Sequence, residues 1–422
     1  MALAGDFEVV RDPLWNNIRI DARALGIVDS APFQRLRYVR QLGHAYLVYP
    51  GATHTRFEHA LGTYHLARRS LGLLRERGEL EAIDEQAVTL TQLAALLHDI
   101  GHYPFSHALE EAGLAAHETL ALRHFGHPEL AAALERYGID DIARQLSTLI
   151  TGRSDHLLQG LIAGPLDLDK LEYLTRDARM CGVPYGTVDV DRLLHSLTVT
   201  PAGIGIHEKG LSALESLLFA KYQMYRNVYW HHAIRSATAM FKRLVRMALD
   251  AGHLDASRLA GSTDESVMEA VRDFAASPLP ARLRRRQLYK RAADLPAGTL
   301  PADAGAWIAG DPGLLAGVED RLAEELHLAA GSVLLDFPAK PAMLSADLPL
   351  RLRDGRVARL EVPDRQGLLG IQGVADELHT SARRLRLFVA EPVSVSEDAV
   401  RRLAARSADD VATALTSGRP LL

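Results

Sequence analysis

Within LLHDIGHYPFSH, residues 96 to 107, an otherwise apolar stretch carries His98, Asp99, His102 and His107. Burying polar groups without partners costs roughly 2 to 7 kcal/mol each, so something must satisfy them. Imidazole nitrogens and a carboxylate are donors that a borderline divalent cation accepts. Two further stretches offer groups of the same kind. In HTRFEHALG, His59 follows Arg56 on the first turns of an amphipathic helix, and in DLDKLEYLTRD, Asp169, Tyr173 and Arg176 share a helix face with Asp177 close behind. A divalent metal explains the grouping better than mutual hydrogen bonds do, and the chemistry it points to is metal-assisted hydrolysis.

Each stretch also has an ordinary reading. An isolated buried histidine is usually a satisfied core residue, and His65, His124 and His195 are read that way. DLDKLEYLTRDAR standing alone is equally a solvated helix of alternating charge. The adjacent His-Asp pair in an apolar helix, with a second histidine a turn later, resists that reading. Ten of the 18 histidines fall between His44 and His127, which points the same way. Spacing by itself reaches a metal-assisted hydrolase and stops there.

These groups need elements to hold them. Helical spacing puts His98 and His102 on one face, about 40° apart around the axis, with Asp99 offset by about 100°. Gly101 and Pro104 are expected to end that helix close by, where neighbouring side chains converge. From about residue 33 to 250 the apolar positions recur at three and four, as in Leu61, Tyr64, Ala67 and Leu71, which predicts a bundle of about nine or ten helices. Gly51, GHPE, ERYGID and MCGVPYGTVD punctuate it. After AASPLPARL, at 275 to 283, the texture changes. SVLLDFP, LRDGRVARLEV and RRLRLFVAEPV read as strands, and the Asp-Gly pair at 354 to 355 is a hairpin signal. The expected architecture is mainly α, a helical bundle in residues 1–275, with a smaller C-terminal α+β lobe in 276–422 of regulatory or oligomerisation role.

Composition describes an ordinary globular protein. The 422 residues are 48% hydrophobic and 24% charged, which excludes a disordered chain. A net charge of −5 gives no global pull toward nucleic acid, so nucleic acid is not a required partner. The single cysteine, Cys181, excludes an intrachain disulfide framework and fits a reducing cytoplasm. Acids in MALAGDFEVVRDP break up any secretory leader, and no apolar run reaches the roughly 18 residues of a membrane span. A cytoplasmic protein with no membrane partner is expected.

The ordered motifs carry a resemblance. HTRFEHALG, LLHDIGHYPFSH, HETL and DLDKLEYLTRD resemble the HD-domain phosphohydrolases, in which an H…HD…D set holds the catalytic metal. More narrowly, RDPLWNNIRI, FQRLRYVRQLGHAYLVYPGATHTRFEHALG and YRNVYWHH are similar to the deoxynucleoside triphosphate triphosphohydrolases, a group with mammalian SAM- and HD-domain members and bacterial dNTPases and dGTPases. The similarity runs from about residue 8 to 240 and continues weakly to RRQLYKR. The motifs begin near the start of the chain, so no SAM domain is expected ahead of them.

The resemblance implies that the bundle is an HD domain with His59, His98, Asp99 and Asp169 as metal ligands. Asp169 is preferred to Asp167 because it directly precedes KLEY. The metal is Mn, Mg, Fe, Zn or Ni; the ligand types do not choose among them. With Asp99, the resemblance makes His102, His107 and His117 the catalytic set over the triphosphate, with His107 preferred to His117 as general acid on the leaving 5′-oxygen. Arg56, Lys170 and Lys221 would supply positive charge to the phosphates. An arginine stands at the Lys221 position in mammalian members. Gln41 and Asp177 would bind the 3′-hydroxyl of the sugar, while Leu42, Tyr173 and Tyr229 pack against it so that ribose is excluded. The implied reaction converts a dNTP to a deoxynucleoside and inorganic triphosphate.

Regulation is implied as well. Asp29, Gln34 and Arg37 match a trio that reads guanine in an activating site between subunits, and Arg286 and Lys290 match phosphate-binding residues at the same interface. The expected assembly is a homotetramer with GTP, dGTP or dATP as effector. Glu8 departs from the pattern, because a phosphate-binding lysine stands there in the mammalian members. The run 282 to 291 also reads as a solvated helix face. Two other functions compete: an HD phosphohydrolase acting on another nucleotide or a nucleic-acid phosphodiester, and a catalytically idle nucleotide sensor.

Overall fold

A computed structural model describes residues 7–339, 346–362 and 375–422. Seven helices concern the site and are numbered α1 (Arg56–Glu76), α2 (Glu85–Leu97), α3 (His117–Phe125), α4 (Leu168–Cys181), α5 (Leu211–Met224), α6 (His232–Asp250) and α7 (Pro312–Glu325). The described residues also form nine strands: β1 (Phe7–Asp12), β2 (Asn16–Asp21), β3 (Leu197–Thr200), β4 (Gly203–His207), β5 (Lys290–Pro296), β6 (Val333–Asp336), β7 (Ala346–Arg351), β8 (Val357–Val362) and β9 (Arg384–Val389). The fold is mainly α with small sheets, as the periodicity predicts. No helix among the described residues is long and apolar enough to cross a membrane.

α1 starts at a capping box, in which the Thr55 and Glu58 side chains satisfy the free backbone amides of the first turn. Its Leu61, Tyr64, Leu66, Ala67 and Leu71 then pack inward. α2 buries Val88, Leu90, Leu93 and Ala94 through Leu97, so its last turns, which lead to His98, are apolar and buried. α4 begins on Asp167, whose carboxylate accepts from Lys170 N at 2.9 Å, and ends on Gly182 in the left-handed conformation.

The strand-like runs fold as expected: SVLLDFP gives β6, RRLRLFVAEPV gives β9, and LRDGRVARLEV spans the β7–β8 turn, with Gly355 at φ +87°. Four features differ from expectation. β1 and β2 form an antiparallel hairpin ahead of the helical period, its turn held by Asp12 Oδ1 accepting from Leu14 N and Trp15 N, each at 2.8 Å. The basic run is no continuous helix, since a helix ends at Arg284 and β5 begins at Lys290. β7 pairs in parallel with β4, so the sheet β3-β4-β7-β8 crosses the expected boundary at residue 275. The other C-terminal sheet, β5-β9-β6, has its own core of Leu295, Val318, Leu322, Leu335 and Leu387.

The fourth difference bears on chemistry. α2 stops at Leu97, so His98 caps the helix and His102 is not on it. Tight turns follow, Ile100 N to Leu97 O and His102 N to Asp99 O, both at 3.0 Å. Gly101 is why the chain can turn there: a Cβ would sit 2.2 Å from His117 O and 2.9 Å from Ala121 N of α3.

Candidate metal centre and histidine cluster

Three helices bring the donors together. His59 comes from the first turns of α1, His98 from the end of α2 and Asp169 from the first turn of α4. One atom of each lies within 4.8 Å of the others. His59 Nε2 is 3.1 Å from His98 Nε2 and 3.0 Å from Asp169 Oδ1. Each ring has its other nitrogen occupied: His59 Nδ1 faces Glu172 Oε2 at 2.6 Å, and His98 Nδ1 faces Ala95 O at 3.0 Å. Both of those partners are acceptors, so each Nδ1 keeps its proton and, with a cation in place of the Nε2 proton, each Nε2 would present a lone pair. Two lone pairs aimed at one point beside a carboxylate fit a divalent cation and do not satisfy each other. Asp99 stands at the edge of this set, with Oδ2 3.6 Å from His59 Nε2 and Oδ1 3.5 Å from His98 Nε2.

The electrostatics make the same demand. Burial opposes a charge on His59, yet the hydrogen bonds to Asp169 and Glu172 and the nearby carboxylates push its pKa up to about 10. Burial likewise opposes ionisation of Asp99 and Asp169. Arg56 and the two histidines hold Asp99 well below the usual carboxylate range, and His59 and His98 do so for Asp169. The pocket is built to surround positive charge.

Next to it lies a second group. His102 Nε2 is 3.3 Å from Asp99 Oδ1, and its ring stacks on His117 with centroids 3.6 Å apart. Burial and the Arg56 charge depress the His102 pKa well below the ordinary value, so this ring is neutral. Glu110 organises the rest: Oε1 meets His117 Nδ1 at 2.6 Å and Oε2 meets His107 Nδ1 at 2.9 Å. Those histidines hold Glu110 ionised against its burial, well below the usual carboxylate range. His107 is largely exposed and His117 is buried. Phe105 and Ser106 both lie in the left-handed region, φ +56° and +60°, a conformation costing about 1 to 3 kcal/mol per residue. Asp264 holds it by accepting from Phe105 N at 2.8 Å, and His44 stacks on Phe105.

The expected substrate residues divide. Asp177 accepts from Tyr229 Oη at 2.7 Å through one oxygen and meets His54 Nε2 at 2.7 Å through the other. Tyr173 lies 6.3 Å from Tyr229, ring to ring. Gln41 is buried and its Oε1 has no partner among the described residues. Leu42 packs at the edge of the core, and Lys221 lies half-buried in the last turn of α5. Two expected phosphate cations are engaged otherwise. Arg56 donates to Asp99 Oδ2 at 2.5 Å and to Ser106 Oγ at 2.8 Å. Lys170 contacts Asp167 and donates to Gly164 O at 2.8 Å. Both positions sit beside a carboxylate that binds them first.

Among the expected regulatory residues, Arg37 Nε donates to Gln34 Oε1 at 2.8 Å and its guanidinium lies over Phe57. Asp29 is exposed at the end of a short helix, and Glu8 is exposed on β1. Arg286 and Lys290 line one cavity of about 280 Å³ with His232. His195 is exposed, which corrects its reading as a core histidine. His65 and His124 are half-buried, and burial lowers the pKa of each to about 4.

Glu172, Glu110 and His54 were not singled out from sequence. Glu172 sits one turn after Asp169, but its partner His59 is 113 residues away. Its other oxygen accepts from Trp15 Nε1 at 2.9 Å and Arg176 Nε at 2.8 Å, which ties the β1–β2 hairpin to the site. Glu110 lies three residues after His107, a spacing that suits a side-chain pair, and this was the available signal.

Comparison with known proteins agrees with this geometry. A family profile for the HD domain matches residues 56–160, and one for the HD-associated region matches residues 188–362. An uncharacterized protein of Methanocaldococcus jannaschii is 39% identical over 287 residues, 67% of this chain and 59% of that protein. A deoxynucleoside triphosphate triphosphohydrolase of Gallus gallus is 32% identical over 262 residues, 53% of this chain and 42% of that protein. The chain thus spans about half the length of the curated relatives it matches. A solved structure of a hypothetical protein from Aquifex aeolicus superposes with a TM-score of 0.71 at 27% identity, covering 94% of this chain and 99% of that one. A phosphohydrolase from Bacteroides thetaiotaomicron gives the same TM-score at 22% identity, covering 91% and 100%, and shares the fold. With the His and His-Asp donors in place on α1 and at the end of α2, inside the matched region, the chain belongs to the HD-domain phosphohydrolases.

Proposed function

We propose that the protein hydrolyses deoxynucleoside triphosphates to a deoxynucleoside and inorganic triphosphate. The observation that carries the reading is the pair of Nε2 atoms of His59 and His98, 3.1 Å apart beside Asp169, next to histidines gathered on Glu110. His59, His98, Asp99 and Asp169 would hold a divalent cation. Such an ion, when bound, withdraws charge from phosphate oxygens and lowers the pKa of water. His107, with Nδ1 anchored to Glu110, keeps Nε2 available to give a proton to the leaving 5′-oxygen. His117, anchored on the same carboxylate, and the neutral His102 line the approach. Gln41 Oε1 offers an unused acceptor to a sugar hydroxyl, and Asp177, braced by His54 and Tyr229, offers a fixed carboxylate. The likeness to the Gallus gallus enzyme supports the triphosphate product.

A second reading has its own observation. Arg56 and Lys170 are neutralised by Asp99 and Asp167, which leaves less positive charge for a triphosphate and favours a nucleoside monophosphate. One assay separates the two. Each dNTP and dNMP is incubated with Mn²⁺ or Mg²⁺, with and without GTP, and the inorganic product is identified. Triphosphate supports the first reading. Orthophosphate from the monophosphate alone supports the second, and pyrophosphate from a dNTP overturns the first.

Activation by a guanine nucleotide or deoxynucleotide on a homotetramer belongs to the same proposal. Its support is the exposed Gln34–Arg37 pair and the Arg286–Lys290 cavity. Sedimentation with and without GTP tests it, and a nucleotide-independent monomer would overturn it.

A further inference from the structure

The loop that carries the histidines has little support of its own. From Ser106 to Leu114 the backbone makes local turns, among them Glu111 N to His107 O at 3.0 Å, Ala112 N to Leu109 O at 3.1 Å, Gly113 N to Glu110 O at 2.9 Å and Leu114 N to Leu109 O at 3.1 Å. Glu110 must nevertheless present one oxygen to His107 and the other to His117. Support comes from elsewhere. Leu109 is fully buried in one apolar cluster with Phe241 and Leu244 of α6 and Leu334 of β6. Gly113, at φ +92°, faces the first residue of α7 so closely that a Cβ would lie 3.0 Å from Pro312 Cγ.

The strongest support is ionic. Glu111, the neighbour of Glu110, accepts from Arg235 Nη1 at 3.0 Å and Nη2 at 2.8 Å, and from Lys242 Nζ at 3.1 Å. The same guanidinium donates through Nε at 2.9 Å and Nη2 at 2.5 Å to Asp336 of β6. Arg235 is 5% exposed and Asp336 1%. A planar guanidinium that engages two carboxylates at once fixes their distance and orientation.

We infer that the Glu111–Arg235–Asp336 bridge lets the C-terminal lobe position Glu110 and, through it, His107 and His117. The inference rests on the proposed hydrolysis for its kinetic consequence but not for its structural one. Arg235 and Asp336 make no contact with the histidines, so they are positioning residues acting through Glu110.

The test uses the full chain with Asp336→Asn, and with Glu111→Gln as a milder change at a half-exposed side chain. Hydrogen exchange of peptides covering 106 to 117 is measured by mass spectrometry together with metal content, kcat and KM. Exchange in 106 to 114 is expected to rise at least about tenfold with metal content unchanged. kcat should fall about tenfold while KM stays within about twofold. In a Glu110→Gln background the same substitutions should cause no further loss of kcat. Unchanged exchange in both variants overturns the inference, as does a loss that adds fully to that of Glu110→Gln. If the wild type hydrolyses no nucleotide, the hydrolysis reading fails while the exchange result still decides the bridge.

Discussion

Glu172 Oε2 lies 2.6 Å from His59 Nδ1, and both side chains are fully buried. That contact sets the tautomer of His59, because a carboxylate can only accept, and it turns Nε2 toward His98 and Asp169. Glu172 is kept ionised against its burial by Arg176 and by His59, its pKa lowered to about 2. Arg176 in turn reaches Asp12 Oδ2 at 3.0 Å, so the hairpin, α4 and α1 converge on one imidazole.

Glu172→Gln should therefore weaken metal binding without removing a ligand. The amide can still accept through its oxygen, but a flipped amide presents a donor and the negative charge is lost. A decrease of about 10- to 100-fold in metal affinity is expected, read by titration of the apo-protein with Mn²⁺. Unchanged affinity would remove Glu172 from the tuning of the site.

Asp169→Ala removes a donor directly. Its side chain is one-third exposed and belongs to the first turn of α4, where the Asp167 cap remains in place. Metal content and turnover should both be lost while the thermal midpoint of the metal-free protein stays close to that of the metal-free wild type. Retained metal at full occupancy would refute the ligand assignment.

The residues His59, His98 and Asp169, gathered within 4.8 Å, were legible because each sits in a short motif whose residue types already suit a cation. The strands β6, β8 and β9 were legible for the same local reason, apolar runs bounded by turn residues. What was not legible depended on distant chain segments. Gly101 and Pro104 marked the end of α2 only approximately: the helix stops at Leu97, ahead of His102, and the close approach of His117 O to Gly101 is recorded in no local pattern. Arg56 and Lys170 look like free cations in sequence and are paired in space with Asp99 and Asp167. Glu172 looks like one charge among several on a helix until His59 arrives from 113 residues away.

Two glycines should respond oppositely to alanine. Gly101→Ala would place Cβ 2.2 Å from His117 O, and the backbone atoms there cannot rotate aside. Destabilisation of at least about 1 to 3 kcal/mol is expected. Gly72, inside α1, has nothing within 4 Å of its Cβ position, so Gly72→Ala should stabilise by about 0.4 to 1 kcal/mol. Urea denaturation of both variants checks the pair, and a neutral Gly101→Ala would mean that α3 moves freely against the loop.

Gln41 separates stability from recognition. Its Oε1 is buried without a partner among the described residues, so replacing the amide by an apolar side chain of similar length relieves an unsatisfied acceptor. Gln41→Met should leave the thermal midpoint unchanged or raise it. If that oxygen receives a sugar hydroxyl, KM for the dNTP should rise by about tenfold, the effect of about 1.4 kcal/mol. A higher midpoint with unaltered KM would take Gln41 out of substrate binding.

Glu319 of α7 predicts how the C-terminal lobe responds to pH. Burial pushes its pKa up to about 8, with Arg243 opposing the rise from 3.9 Å, and its Oε1 accepts from Leu335 N at 3.0 Å. The ordinary value in the unfolded chain is about 4.3. Between these limits the folded protein keeps a proton that the unfolded chain has released, so stability falls as pH rises through this window. Above about pH 8 the folded state must hold a buried charge and the loss is complete. Glu319→Gln cannot ionise and should flatten this dependence, raising the midpoint at pH 8 while changing it little at pH 5. Thermal melts of wild type and variant across that range check the sign. A variant that loses stability equally at both pH values would show that Glu319 works as a charged partner of Arg243 rather than as a buried neutral acid.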